Sequence, residues 1–188
     1  MTMSISTRAL TGAIEAPGCV VVDVREIAAF NGWILHDEVR GGHLRGAVAF
    51  PLEWTAVVQD AALEAQLLGK GVRYDTTVVL YGRDTTAAAR AAVLLMYAGV
   101  DDVCVLDGGF VAWSRAGYPI STIAPRPEPV TDLGKTLPGH PEYLMATEDV
   151  KTLVAERDAA LVSVRSWAES GGYLSGDAAT SAMSGVHT

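Results

Sequence analysis

From Thr77 to Trp113 the chain alternates between two kinds of apolar pattern. Thr77–Tyr81 (TVVLY) is short, β-branched and almost wholly apolar, the pattern of a parallel strand buried on both faces. Ala87–Ala98 is a longer run rich in Ala, Leu and Met, all strong helix formers. The side-chain oxygens of Asp84, Thr85 and Thr86 are suited to cap that helix, and Gly99 to close it. Asp102–Leu106 (DVCVL) reads as a second strand, and Gly108-Gly109 as a turn. The same patterns recur upstream. A short helix is expected over Ser6–Glu15, with Leu10, Ala13 and Ile14 on one face, ended by Pro17 and Gly18. Strands follow at Cys19–Val24 and Val48–Phe50. Leu52–Leu68 reads as a helix whose Trp54, Val57, Val58, Leu63, Leu67 and Leu68 face the core. Strands near Val21, Val48, Val79 and Val105 with helices between them predict an α/β fold: a parallel sheet covered on both faces. The functional loop of such a sheet lies beyond the strands' carboxyl ends, here Gly82–Thr86.

Composition narrows the function classes. With 188 residues and 49% hydrophobic content, the chain has material for one domain, or for one domain and part of another. A net charge of −8 disfavours nucleic acid or an anionic membrane as a partner. No apolar run approaches the ~20 residues of a membrane span, and the N-terminus lacks the apolar core of a secretory signal, so the cytoplasm is the expected location. Cys19 and Cys104 both fall in apolar strands and read as small buried hydrophobes, not as nucleophiles or a disulfide. No cofactor or metal is expected.

A strand feeding directly into a helix aims backbone N–H groups and the positive end of the helix dipole into one loop. A reactive side chain would occupy the first position of that loop, and Gly82 stands there. Upstream, Asp23 and Arg25 follow the first buried strand. They read as a local anchor for neighbouring loops, of the exposed kind that contributes about 0–1 kcal/mol. His43 lies in a glycine-rich stretch, Gly41 to Ala47, whose tight backbone course predicts an imidazole bonded to loop carbonyls. The segment Phe30–Arg40, with Trp33 and His36, reads as a lid or an interface, and its residue types do not say which.

Gly99, Val103, Leu106, Gly108, Gly109 and Trp113, in that order and spacing, resemble the active-site half of the rhodanese family. The Asp23-x-Arg25 pair and the run through His43 and Gly46 resemble its structural motifs. The resemblance implies a three-layer α/β/α sandwich with a central parallel sheet, and a loop cysteine that carries sulfur as a persulfide. Here Gly82 replaces that cysteine, and Ala87 and Ala88 replace the polar or basic residues that usually follow. A related phosphatase or arsenate reductase would need the same thiol, which Arg83 and Arg90 do not supply.

Six of the eight prolines fall between Pro119 and Pro141, so residues 121–144 read as a semi-rigid linker after a domain at 6–120. The chain then repeats its own beginning. Thr147, Val150, Leu153 and Val154 fall on Thr7, Leu10, Ala13 and Ile14, and Leu161–Arg165 falls on Val21–Arg25. Residues 145–188 accordingly resemble the truncated start of a second rhodanese domain, departing at Ser163 where the family usually has Asp, with a disordered tail. The expected protein is a rhodanese-family, sulfurtransferase-related chain that is inactive by itself. Thiosulfate and a complete second rhodanese domain are its expected partners. The alternative is a noncatalytic scaffold that holds an anion at Gly82, Arg83, Asp84, Thr85 and Thr86, or a partner on its surface.

Overall fold

The computed structural model describes residues 4–35, 38–51 and 59–155, together with residues 160 and 162. It divides into two compact units, Met1–Leu144 and Met145–Thr188. The first unit opens with strand Ser4–Ile5 (β1), helix Thr7–Ala13 (α1), strand Cys19–Asp23 (β2) and helix Ile27–Phe30 (α2). Strands His43–Leu44 (β3) and Val48–Ala49 (β4), helix Asp60–Gly69 (α3) and strand Thr77–Tyr81 (β5) come next. Helix Thr85–Ala98 (α4), strand Asp102–Leu106 (β6), helix Gly109–Arg115 (α5), strand Ile120–Ser121 (β7) and a 3-10 turn at Pro141–Tyr143 complete it.

Five strands form a wholly parallel sheet in the order β1-β6-β5-β2-β4. Side chains alternate across it as the two-residue period of a strand requires. Val22, Val78, Leu80, Val103 and Val105 face one layer, where Leu63 and Leu67 of α3 and Ala91 and Leu95 of α4 cover them. Val21, Val79, Tyr81 and Leu106 face the other, under Leu10 of α1 and Phe110 and Trp113 of α5. The result is the three-layer α/β/α sandwich.

Local chemistry sets the element ends. Ser6 Oγ accepts from Ala9 N at 3.2 Å and starts α1, and Gly99 ends α4 in the left-handed region at φ 94°. The helix expected over Leu52–Leu68 is seen from Asp60 onward; Trp54, Val57 and Val58 lie outside the described residues. Four elements carry no readable pattern. The two-residue strands β1, β3 and β7 are too short to show alternation, and α5 begins within the Gly-Gly turn.

The proline-rich segment is extended, as its composition requires, and it runs along the first unit. Val130 N donates to Leu68 O at 3.0 Å, Tyr74 N to Leu133 O at 2.9 Å, and Gly139 N and His140 N to Tyr97 O at 3.0 Å each. Leu133 is fully buried in the α3/α4 core layer, and Lys135 pairs with Asp101 at 2.7 Å. Gly139 lies against Gly99 so closely that an added Cβ would fall 2.5 Å from Gly99 Cα. The first compact unit extends to Leu144. Composition announces an extended backbone but not the surface that receives it.

In the second unit, helix Thr147–Ala155 (α6) begins at the residue that matches Thr7, the start of α1. Glu148 and Asp149 occupy its first turn, where acidic side chains suit the dipole, and Asp149 Oδ2 accepts from Ala146 N at 3.3 Å. Apart from Val162, the strand read over Leu161–Arg165 lies outside the described residues, as does the tail.

Candidate functional site

β5 delivers the chain from Tyr81 to Gly82 at the carboxyl end of the sheet, and α4 begins three residues later. Asp84 caps α4: its Oδ1 accepts from Ala87 N at 3.1 Å. Gly82 is absent from the glycines with positive φ, so its backbone does not demand glycine. A Cβ built on Gly82 would lie 2.6 Å from Ala87 Cβ and 3.3 Å from both Ala87 C and Ala88 N.

The other side of the loop is fastened to α5. Gly82 O accepts from Phe110 N at 2.9 Å, and Arg83 O from Val111 N at 3.3 Å. Thr85 Oγ1 accepts from Gly108 N at 2.8 Å and lies 3.4 Å from Asp107 Oδ1. Gly109, at φ 55°, has no room for a side chain, because a Cβ would fall 2.6 Å from Gly82 O and 2.8 Å from Arg83 O. The first amides of α5 thus serve the loop's own carbonyls. Trp113, buried three residues further along α5, donates through Nε1 to Pro119 O at 2.9 Å.

Below the loop lies a buried charged cluster. Arg25 grips Asp23 with two nitrogens, Nε to Oδ1 at 3.0 Å and Nη2 to Oδ2 at 2.7 Å. Its Nη1 donates to Glu38 Oε1 at 2.8 Å, its Nη2 to Gly42 O at 2.6 Å, and its guanidinium lies 3.6 Å from the Phe110 ring centroid. Tyr81 OH donates to Asp23 Oδ2 at 2.7 Å and accepts from Leu44 N at 3.0 Å. The pair expected to be exposed is therefore wholly buried, and it joins the end of β2, the 30–40 segment, the glycine loop and α5. Burial works to lower the Arg25 pKa, but hydrogen bonds and charge from Asp23, with Glu38, hold it above the ordinary arginine value.

Burial pushes the Tyr81 phenol well above its ordinary value; the Asp23 charge adds to this and Arg25 opposes it. A raised folded-state value means that Tyr81's contribution to stability is complete below about pH 10, its unfolded value, and is lost as pH rises through the folded value. Urea melts across pH 8 to 12 should show stability falling on this alkaline side. Tyr81→Phe should be less stable at neutral pH by about 1–3 kcal/mol, because Leu44 N and Asp23 lose a partner, and should show a flatter alkaline fall. An equally steep fall in the variant would contradict this.

His43 is fully buried, stacked on Phe30 with ring centroids 3.8 Å apart, and its nitrogens meet Phe30 O at 2.8 Å and Ile123 O at 3.2 Å. Gly46 makes a left-handed turn at φ 79° just before β4. The structure therefore brings together Gly82–Thr86, Gly108 and Gly109 at the loop, with Asp23 and Arg25 beneath through Tyr81 and Phe110. His43 directs both ring nitrogens to Phe30 O and Ile123 O and not to the loop. Glu38 and Phe110 belong to this constellation and had no sequence signal of their own, whereas Tyr81 read only as the end of a strand and Ala87 only as the replacement of a polar residue. Cys19 opens β2 and Cys104 lies in the middle of β6 opposite Val79; both are half-buried against the Tyr81 and Phe110 side of the core. Burial, and then the Asp102 carboxylate, push both thiols up. Among the described residues there is no group of three or more side chains placed to hold a metal ion, and no helix is long and apolar enough to cross a membrane.

A parallel sheet between two helical layers, with a strand–loop–helix turn over a buried Asp–Arg pair, defines a class, and comparison with known proteins agrees. Residues 6–116 match the model of the rhodanese-like domain, and the chain belongs to that family. It is 46% identical over 120 residues to thiosulfate sulfurtransferase YnjE of Escherichia coli K12, an alignment covering 63% of this chain and 28% of that protein. It is 33% identical over 185 residues to the sulfur carrier protein TtuD of Thermus thermophilus, covering 90% of this chain and 60% of that one. The crystal structure of YnjE superposes with a TM-score of 0.75 at 31% identity, over 89% of this chain and 42% of the other. The chain thus spans less than two thirds of the length of these relatives.

Proposed function

We propose that this chain is a rhodanese-family module of sulfurtransferase lineage that does not itself carry sulfur. One observation supports this most: the loop position at the end of β5 is Gly82, and Ala87 occupies the adjacent space. Sulfur transfer from thiosulfate needs a thiolate to attack the outer sulfur, form a new S–S bond and release sulfite with the electron pair of the old one. Glycine offers no such group. The two thiols the chain has lie within strands β2 and β6, outside the loop, with raised pKa values, which keeps them protonated near neutral pH. The names of the relatives support a small sulfur-containing anion such as thiosulfate as the ligand class of the lineage, and the internal repeat supports reading residues 145–188 as the start of a second rhodanese-like domain. A complete second domain with a loop cysteine is then the partner that would carry the chemistry.

The second reading is the noncatalytic scaffold. An anion at Gly82–Thr86 would compete with the Asp84 carboxylate already seated on Ala87 N, and Asp107 stands beside Thr85. Partner binding has better support: Trp33, Ile34 and Val39 are 73%, 63% and 62% exposed on a segment held by Glu38 to buried Arg25. An assay of sulfur transfer from thiosulfate to cyanide tests the main reading. The chain alone should not exceed the protein-free blank; turnover would overturn the proposal.

A further inference from the structure

We propose that the hollow between the β4 edge of the sheet and the proline-rich segment is a binding site for a small monocarboxylate with an aliphatic body, its carboxylate set at Lys70. β4 is the last strand of the sheet, and among the described residues its far side pairs with no other strand. Beyond that edge runs the proline-rich segment. It is fixed at one end where Ile123 O meets His43 Nε2 at 3.2 Å, and at the other where Val130 N donates to Leu68 O at 3.0 Å. Between these points, among the described residues, the backbone of residues 124–129 makes no hydrogen bond to the sheet or its helices. Three of these six residues are proline and have no N–H to give. The segment bridges a gap here instead of closing it.

Two cavities lie in that gap, of about 260 and 390 Å³, and both are lined by Val48, Lys70 and Pro127. The first has the make-up of a ligand site: apolar walls from Ile27, Phe30, Ala49 and Pro125, with Asn31 and Lys70 as the polar points. It is smaller than the ~300–1,000 Å³ of drug-sized sites, which limits the ligand to a small molecule. Ile27 is 47% exposed, and an aliphatic body would cover that apolar surface. Lys70 sets the charge of the ligand. It is half-buried, donates to Gln66 Oε1 at 2.8 Å and lies 5.6 Å from the Phe50 ring centroid. Burial lowers its pKa, and a carboxylate beside it would offset that cost, as an uncharged group would not. Glu128 lines only the second cavity, so the carboxylate belongs in the first.

The experiment is a titration of the full chain with octanoate, octanol and acetate, followed by heteronuclear NMR of the backbone amides. Octanoate should shift Asn31, Ala49 and Lys70 in a saturable way. Octanol, with the same body, should bind at least fivefold more weakly, and acetate more weakly than octanoate by at least as much. Lys70→Gln should weaken octanoate at least fivefold and leave octanol unchanged. Ala124→Phe, on the exposed face of the proline-rich segment, should fill the first cavity and abolish binding of both. Equal affinity of octanoate for the parent and Lys70→Gln would overturn the proposal. So would the absence of saturable binding, or shifts confined to the exposed Trp33, Ile34 and Val39. If Lys70→Gln does not fold, Ala124→Phe decides the matter, because octanoate binding unchanged in that variant overturns the site. The Gly82 loop has no part in this site, so sulfur transfer by the parent chain would end the inactive-loop reading and leave the titration unaffected.

Discussion

Ending the chain at residue 120 is expected to leave the first unit unable to fold, whereas ending it at Leu144 preserves it. Residues 121–144 provide Leu133, wholly buried against α3 and α4, and hydrogen bonds to Leu68, Tyr74 and Tyr97. Truncating a buried leucine to alanine costs about 2–5 kcal/mol, against a total stability of about 5–15 kcal/mol for a typical domain. Deleting the whole segment removes that side chain, the half-buried Leu137 and four backbone bonds together. Circular dichroism of residues 1–120 and 1–144, with Leu133→Ala in the full chain, checks this. A shorter fragment as stable as the longer one would show that the segment only lies on a surface already complete.

Arg25→Ala is expected to have the next largest effect, a loss of about 3–5 kcal/mol, because it strands two carboxylates in the interior. Asp23 and Glu38 have no exposed side-chain surface, and Arg25 is the cation they share. The same residue ties Gly42 O and the Phe110 ring, so its loss loosens the floor of the Gly82 loop as well. Arg25→Lys should recover only a minor part, since a single ammonium cannot reproduce the fork that meets Asp23, Glu38 and Gly42 together. Urea denaturation of the three proteins reads this directly. A loss below about 1 kcal/mol in Arg25→Ala, the scale of an exposed pair, would contradict the buried-cluster account.

The β5–α4–β6 unit was legible because its signals are local. Five apolar residues make the strand, Asp84 sits at the cap, and Gly99 follows the last helical residue. The loop position Gly82 was legible for the same reason, through its spacing to Gly99 and to the Gly108-Gly109 turn. Burial of Asp23 and Arg25 was not, since it depends on Glu38 and Tyr81, which no local pattern links to them. Ala87 read as a missing polar group, and its closeness to position 82 follows only from the path of the loop. Leu133 read as one apolar residue in a polar, proline-rich stretch, and nothing in its neighbours marks it for the core.

Mass spectrometry of the intact chain after incubation with thiosulfate tests the central claim most directly. The account predicts an unchanged mass, because Gly82 offers no acceptor and the raised pKa values of Cys19 and Cys104 keep them as thiols. A gain of one sulfur atom, mapped to Cys19 or Cys104, would contradict it.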